Sequence, residues 1–254
     1  MSEEKKTKID FAFPTIGRTE SFQRAMTVLN DCHGSDEFMV WIMDGNPLED
    51  TSVIDFMSSK TWNFPFKIFR ERLCIPEENW GKWAVFMNFL FKQGTAPWLT
   101  WHSDDIFPQP FAYKNALIFA EAEKNKKGVK PLGAISFVWS DGFNPPYMQY
   151  GTAIYARLMV NFGIISRKAM ERVEFLDEKF QFYNGDQDLS LKLHFYGFDV
   201  VSREDCQINH AGAKSQNKYR DEKHVAQDNE YFKSKWSYDN GAGDRILKLV
   251  KEGK

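Results

Sequence analysis

Residues 9–44 read IDFAFPTIGRTESFQRAMTVLNDCHGSDEFMVWIMD. An apolar run, Ile9–Phe13, is followed by Phe22, Ala25, Met26 and Leu29 at helical spacing, and then by a second apolar run, Phe38–Met43. Short apolar runs of this length read as buried strands, and the spaced stripe between them as a helix with one apolar face. The alternation continues outward. Phe66–Phe69, Trp98–Trp101, Leu132–Val138, Val160–Ile165 and Phe198–Val201 read as further strands. Trp80, Trp83, Ala84, Met87 and Leu90 form a second helical stripe, and Tyr113, Ala116, Leu117 and Ala120 a third. Strand, helix, strand, helix at this pitch predicts an α/β fold, a mixed and mostly parallel central sheet flanked by helices. From Ala211 to Asp228 the chain turns polar, and two short helical patterns follow at 228–236 and 244–250, a helical C-terminal tail packed on the same domain.

Composition narrows the classes. A chain of 254 residues can bury a real core as one large domain or two small ones. Lys plus Arg number 33 against 35 Asp plus Glu, a net charge of -2, which argues against a polybasic nucleic-acid binder. Hydrophobic residues at 43% and charged ones at 27% exclude a disordered chain. Aromatics are abundant at 16%, enough to supply a core and still stack on a planar or sugar ligand. Cys32, Cys74 and Cys206 are odd in number and far apart, which fits free thiols in a reducing, cytoplasmic setting. Residues Met1 to Lys8 are charged without an apolar core, unlike a signal peptide, and Phe38–Met43 is far too short to span a bilayer.

In an open parallel sheet, ligands collect beyond the carboxyl ends of the strands. Polar residues directly after apolar runs are therefore informative, and four segments qualify. Phe13-Pro14-Thr15-Ile16-Gly17-Arg18 is a turn that could free backbone N–H groups and aim Arg18 at a phosphate, or simply join a strand to a helix. Met43-Asp44-Gly45-Asn46-Pro47 could offer Asp44 to a nucleobase N–H edge, but is also ordinary turn chemistry. Trp98-Leu99-Thr100-Trp101-His102-Ser103-Asp104-Asp105 delivers two adjacent carboxylates and a His into a loop. Such donors suit magnesium or manganese, or form an exposed acidic turn. From Gly163 to His210, Asp186 and Asp188 open a helix carrying Leu189, Leu193 and Tyr196 and stopping at Gly197. Either could cap that helix, and one could act as a base in a cleft. Lys124, Lys126, Lys127 and Lys130 read as a solvated helix end and loop.

In this order the segments resemble a family 2-type glycosyltransferase with the GT-A, Rossmann-like fold, over about residues 8 to 212. The most specific part is the succession FLDEKF, GDQDL, YGFDV and NHAG between Gly163 and His210; Tyr231-Phe232 with Lys235-Trp236 is similar to a tail element of some members. The resemblance implies a nucleotide-sugar half at about 8–105, an acceptor half at about 106–212, and a C-terminal lid and tail over 213–254. It implies that Thr15, Arg18 and Asp44 line the nucleotide pocket, with Lys82 a further donor contact. Asp104, with Asp105, would hold a divalent cation (manganese or magnesium), and His210 would supply another metal ligand. Asp186 would be the general base of an inverting reaction, while Asp188 would orient the acceptor or cap its helix. Two departures stand out: His102 and Gly185 occupy positions where many relatives carry Asp and Glu. The implied activity is a hexosyl- or pentosyltransferase that uses a nucleoside-diphosphate sugar, UDP being the commonest carrier. The implied acceptor is a hydroxyl of a glycan or, as a second option, of a hydroxylated DNA base; Trp139 to Tyr150, where aromatic and polar residues interleave, would border the acceptor side or simply pack as a loop. The alternatives are a nucleotidyltransferase, which would want a Gly-rich basic loop after the first strand, and a catalytically silent carbohydrate-binding protein.

Overall fold

The computed structural model describes residues 6–124, 126, 129–140, 148–149, 153–154, 157–211 and 222–236. The opening unit is strand, helix, strand: β1 (Ile9–Thr15), α1 (Thr19–Asn30) and β2 (Phe38–Asp44). It continues through α2 (Ser52–Ser58), β3 (Phe66–Arg70), the short α3 (Glu71–Cys74), α4 (Trp83–Phe91) and β4 (Trp98–Trp101). The second half holds β5 (Ile106–Pro108), α5 (Ala112–Glu123), β6 (Leu132–Ser140), β7 (Met148–Gln149), β8 (Ala153–Ile154), β9 (Arg157–Leu158) and β10 (Gly163–Ser166). It closes with α6 (Arg167–Arg172), α7 (Gly185–Phe195), β11 (Asp199–His210) and α8 (Glu222–Trp236).

The sheet runs β3-β2-β1-β4-β10-β6-β11-β5, with β7 beside β6. Strands β3, β2, β1 and β4 are parallel, β10 is antiparallel to both its neighbours, and β6 and β11 are parallel to each other. The mixed, mostly parallel sheet is thus as the sequence predicts. Alternation along β1 explains why its run is apolar throughout. Ile9, Phe11 and Phe13 join a core with Phe22, Met26 and Tyr113, while Ala12 joins a second core with Met87, Leu90 and Leu189 on the opposite face. Both faces of the strand are covered, so neither is free to be polar. The exception is Asp10, buried to 1% exposure. Its carboxylate accepts from Trp41 Nε1 (2.9 Å), the Ala96 amide (2.8 Å) and Arg167 (2.6 Å). Arg167 in turn donates to the carbonyls of Ala96 and Phe91.

Several expectations need correction. The last strand does not stop at Val201; β11 continues to His210, its polar middle bulging between Arg203 and Gln207. The bulge and the half-exposed face hide a strand that the apolar pattern cannot show. Residues after Asp105 form not only an acidic turn but β5, antiparallel to β11. The segment from Val160 becomes strand only at Gly163. Trp80 lies outside α4, cut off by Gly81 in the left-handed region (φ 74). Helix α2, with Val53 and Met57 buried, has too short an apolar pattern to read. The tail helix begins at Glu222, within the polar stretch, and the pattern at 244–250 lies outside the described residues, as do 212–221 of the expected lid. Phe232 and Trp236 pack with Phe180 and Leu191, so α8 does dock on the domain. Lys124 and Lys126 pair with Glu121 and Glu123 at the end of α5, the solvated helix end expected, and Lys127 lies outside the described residues. The three cysteines are free thiols. Among the described residues no helix is long and apolar enough to cross a membrane.

Asp10→Ala leaves the Arg167 guanidinium buried without its counter-charge, a class of change that costs about 3–5 kcal/mol. Urea unfolding of the variant beside the parent protein measures this loss.

Candidate active site

A cavity of about 220 Å³ opens beyond the carboxyl ends of β1, β2 and β4. Pro14, Thr15, Ile16 and Arg18 enter it from β1, Met43 and Gly45 from β2, and Ser103 and Asp104 from the loop after β4. Glu71, Gly81, Trp83, Phe86 and Phe182 complete its walls. The strand ends meet there because the register aligns them: Thr15 pairs with Asp44, and Asp44 with Arg70.

At that row Thr15 is buried and lines the cavity. Asp44 is fully buried; its Oδ1 accepts the Asn46 amide (3.0 Å) and its Oδ2 lies 3.3 Å from Arg70 Nε. Burial raises the Asp44 pKa against these two contacts. The structure thus places Asp44 between two cavity-lining neighbours, with its carboxylate already engaged. The glycine amide of the turn after β1 is engaged: Gly17, at φ 65, donates its N–H to Asn46 Oδ1 at 2.7 Å. Lys82 follows the cavity residue Gly81, and its Nζ donates to Asn79 Oδ1 at 2.8 Å. Sequence reasoning missed Glu71. This buried carboxylate lines the cavity and accepts the Gly81 amide at 2.6 Å. Its only signal was an acid at the end of a strand, where Phe66–Phe69 runs into Arg70-Glu71.

On the other side stand the paired acids. Asp104 is buried and ion-paired with Arg18, whose guanidinium also reaches toward Asp105 Oδ2 (3.8 Å). Burial pushes the Asp104 carboxyl up to about 6 despite Arg18. Its Oδ2 has no hydrogen-bond partner. Asp105 goes the other way. Burial would raise it, but contacts from His210, Ser103 and Arg18 hold it down at about 2. His210 Nε2 is 3.6 Å from Asp105 Oδ2 because β5 and β11 pair Ile106 with His210. Phe162 and Trp139 frame the His210 ring, at 5.3 and 5.7 Å between centroids. Residues 141–147 and 150 of the expected acceptor border lie outside the described residues. His102 belongs to the core: fully buried, it stacks on Phe13 at 5.1 Å and donates from Nδ1 to the Ser103 carbonyl. Burial lowers its pKa to about 4, so it is neutral at pH 7. Among the described residues no three His, Cys, Asp or Glu side chains form a ready metal cage. What the acids do offer is the buried, unpartnered Asp104 Oδ2, an oxygen of the hard kind that divalent cations such as manganese accept.

Asp186 stands in the first turn of α7, half-buried. Burial raises it from 3.8 to about 6, opposed by the Gln187 amide on its Oδ1 (2.9 Å). Gly185 lies against the cavity-lining Trp83, where a Cβ would stand 3.0 Å from ring carbon Cζ3; the indole occupies the room a larger residue would need. Asp188 neither caps with its side chain nor faces a cleft. It is fully buried and accepts from Trp236 Nε1 and Lys235 Nζ, both at 2.7 Å. The FLDEKF segment is likewise structural. Asn88 bridges Leu176 and Glu178, and Asp177 accepts from Tyr231 and Lys235 of α8.

No protein-family model and no curated protein sequence matches the chain. Solved structures do match. The mannosyltransferase PcManGT from Pyrobaculum calidifontis, in complex with GDP-Man and Mn2+, superposes with a TM-score of 0.60 at 12% identity, over 98% of this chain and 76% of that one. Residues 1–349 of S. aureus TarS in complex with UDP give 0.62 at 13% identity, over 92% of this chain and 74% of that one. The same TarS piece in complex with UDP-GlcNAc gives 0.60 at 13%, over 97% and 78%. At such identity the likeness is one of fold, and the fold is GT-A-like.

The raised Asp186 pKa has a consequence for stability. The folded state binds this proton more tightly than the unfolded one, so the stability that Asp186 contributes is fully present below about pH 4 and is lost as pH rises through about 6. Asp186→Asn, which keeps an oxygen for the Gln187 amide, is expected to be more stable than the parent by about 1–3 kcal/mol near pH 7.5. Denaturation at about pH 7.5 and again below pH 4 checks this; the gain should vanish in acid.

Proposed function

We propose that this chain is a glycosyltransferase that moves a sugar from a nucleoside-diphosphate sugar to an acceptor hydroxyl. The observation that carries the reading is the cavity at the strand ends, which gathers Thr15, Arg18 and Asp104. It occurs in a fold shared with structures that hold GDP-Man or UDP. The β1–α1 turn weighs against nucleotidyl transfer, since its glycine amide is bound by Asn46 and not open to a triphosphate.

Thr15 and Glu71 line the cavity where a nucleobase and ribose would enter, with Asp44 buried beside Thr15, and the Glu71 carboxylate favours a base edge that presents N–H donors. Arg18 carries a fixed positive charge beside the acids and can turn to a diphosphate oxygen. A divalent cation held by Asp104, Asp105 and His210 would lend further positive charge to the departing diphosphate. Asp186 accepts the proton of the acceptor hydroxyl as its oxygen bonds to the anomeric carbon. The carbon–oxygen bond to the diphosphate breaks, and the nucleoside diphosphate leaves with that electron pair. With a pKa near 6, Asp186 is a stronger base than an ordinary aspartate yet still mostly ionised at pH 7. One base, and no second nucleophile assigned, support inversion of configuration. A glycan hydroxyl is the acceptor proposed, and three free thiols support a cytoplasmic setting.

Calorimetric titration with UDP, GDP and dTDP, with and without manganese, tests the reading. One nucleotide should bind in a manganese-dependent way, and Asp104→Ala should weaken that binding by about tenfold or more. Binding of none of the three would overturn the proposal. Asp186→Asn should keep nucleotide affinity and cut transfer by about 10²–10⁴-fold. In the parent protein, turnover should rise with pH through about 6.

A further inference from the structure

Helix α8 touches the domain through more than its apolar face. Asp228, at 1% exposure, sits under the segment that leads into α7. Its Oδ1 accepts the amide of Gln181 (2.8 Å), and its Oδ2 accepts those of Phe182 and Tyr183 (2.8 Å each). Three consecutive amides aimed at one point form a nest of the kind that elsewhere captures anions; here the anion is a side chain of the same chain. The next residue, Asn184, holds the left-handed conformation (φ 64), and its Nδ2 donates to Asn229 Oδ1 at 3.0 Å. Asn184 starts α7, its carbonyl accepting the Asp188 amide. From the opposite side, the Trp83 amide donates to the Gln181 carbonyl at 3.0 Å. The segment is thus gripped between α4 and α8. It places Phe182 in the cavity wall and launches the turn that carries Asp186.

We propose that Asp228 is a positioning residue for the transfer reaction, holding residues 181–184 so that Phe182 closes the donor cavity while Asp186 faces the acceptor. The assignment rests on the glycosyl-transfer reading, with Asp186 as base. Without the carboxylate, three half-buried amides need other partners, and the left-handed turn at Asn184 loses the support that fixes it. A displacement of about 1 Å at a reacting group can cost about 100-fold in rate, so the grip bears on turnover more than on nucleotide affinity. Most of the cavity wall comes from the ends of β1 and β2 and from the turns after β1, β2 and β4, none of which Asp228 contacts among the described bonds.

The far half of α8 supplies the control. Trp236, Lys235 and Tyr231 dock the helix through Asp188 and Asp177, away from the three amides. Trp236→Phe therefore weakens docking without removing the anion.

The test uses the full chain with manganese, and UDP-glucose and GDP-mannose as donor probes, reading nucleoside diphosphate release with water as acceptor. Asp228→Asn offers only one acceptor oxygen. It should lower kcat by about 10–100-fold, with nucleoside diphosphate Kd changed by less than about threefold. Hydrogen exchange at the amides of residues 181–183 should accelerate in the same variant. Trp236→Phe should lower Tm at least as much, yet keep kcat within about threefold of the parent. Asp228→Asn with parental kcat overturns the assignment, and so does Trp236→Phe with an equal loss of kcat, which would reduce Asp228 to helix docking. If the parent releases no nucleotide from either probe, or Asp186→Asn releases it at the parental rate, the transferase reading itself falls and this assignment with it. Dependence on Asp186 together with indifference to Asp228 removes only the assignment.

Discussion

Asp10 and Arg167 form the ion pair around which the sheet is organised. It sits where the parallel half, β3-β2-β1-β4, meets the antiparallel strand β10. A charge within a strand covered on both faces is tolerable only when its lone pairs are satisfied, and Asp10 accepts from β2, from the turn before β4 and from Arg167 after β10. These contacts fix how β1, β2, β4 and β10 lie beside one another. The register that follows puts Thr15, Asp44 and Arg70 in one row and ends β4 beside them. Gly94 belongs to the same constraint, since a Cβ there would fall 2.2 Å from an Asp10 oxygen.

The acidic residues divide by what they are bound to. Asp10, Asp188 and Asp228 each accept from several nitrogen donors and join segments far apart in the chain. Asp186 accepts one neighbouring amide and no side chain among the described contacts, so burial alone raises it. Asp104 and Asp105, adjacent in sequence, are pushed apart because one meets mainly burial and Arg18 while the other also gains His210 and Ser103. Residues that hold the fold thus accept from several donors, whereas the pKa values of Asp104 and Asp186 are raised chiefly by burial. The same logic moves His102 from candidate ligand to core: stacked on Phe13 and neutral, it supports the loop that presents Asp104.

Legibility followed the range of the interactions. Strands β1, β2, β3, β4 and β6, and helices α1, α4 and α5, were visible because their apolar spacing repeats within a few residues. Strand β5 and most of β11 were not, being short or polar on one face and recognisable only by their pairing with each other. That pairing is also what brings His210 to Asp105. FLDEKF and Asp188 stood out in the sequence, but their work is to seat α4 and α8 against the segment before α7. Glu71 and Asp228 were passed over, since an isolated acid at a strand end or in a polar helix gives no local sign of what it will face.

The sequence by itself determined the α/β class, the strand ends at which the cavity lies, and the segments that carry Arg18, Asp104, Asp105 and Asp186. Hydrophobic periodicity and turn chemistry are properties of neighbouring residues, and they survive in one dimension. Only the tertiary structure decided which acids are free. It closed Asp188 under Trp236, seated Asp228 against three amides, and set Arg18 between Asp104 and Asp105. Protonation and hydrogen-bond satisfaction depend on burial and on partners up to 157 positions away, as Arg167 is from Asp10. No local pattern encodes such partners.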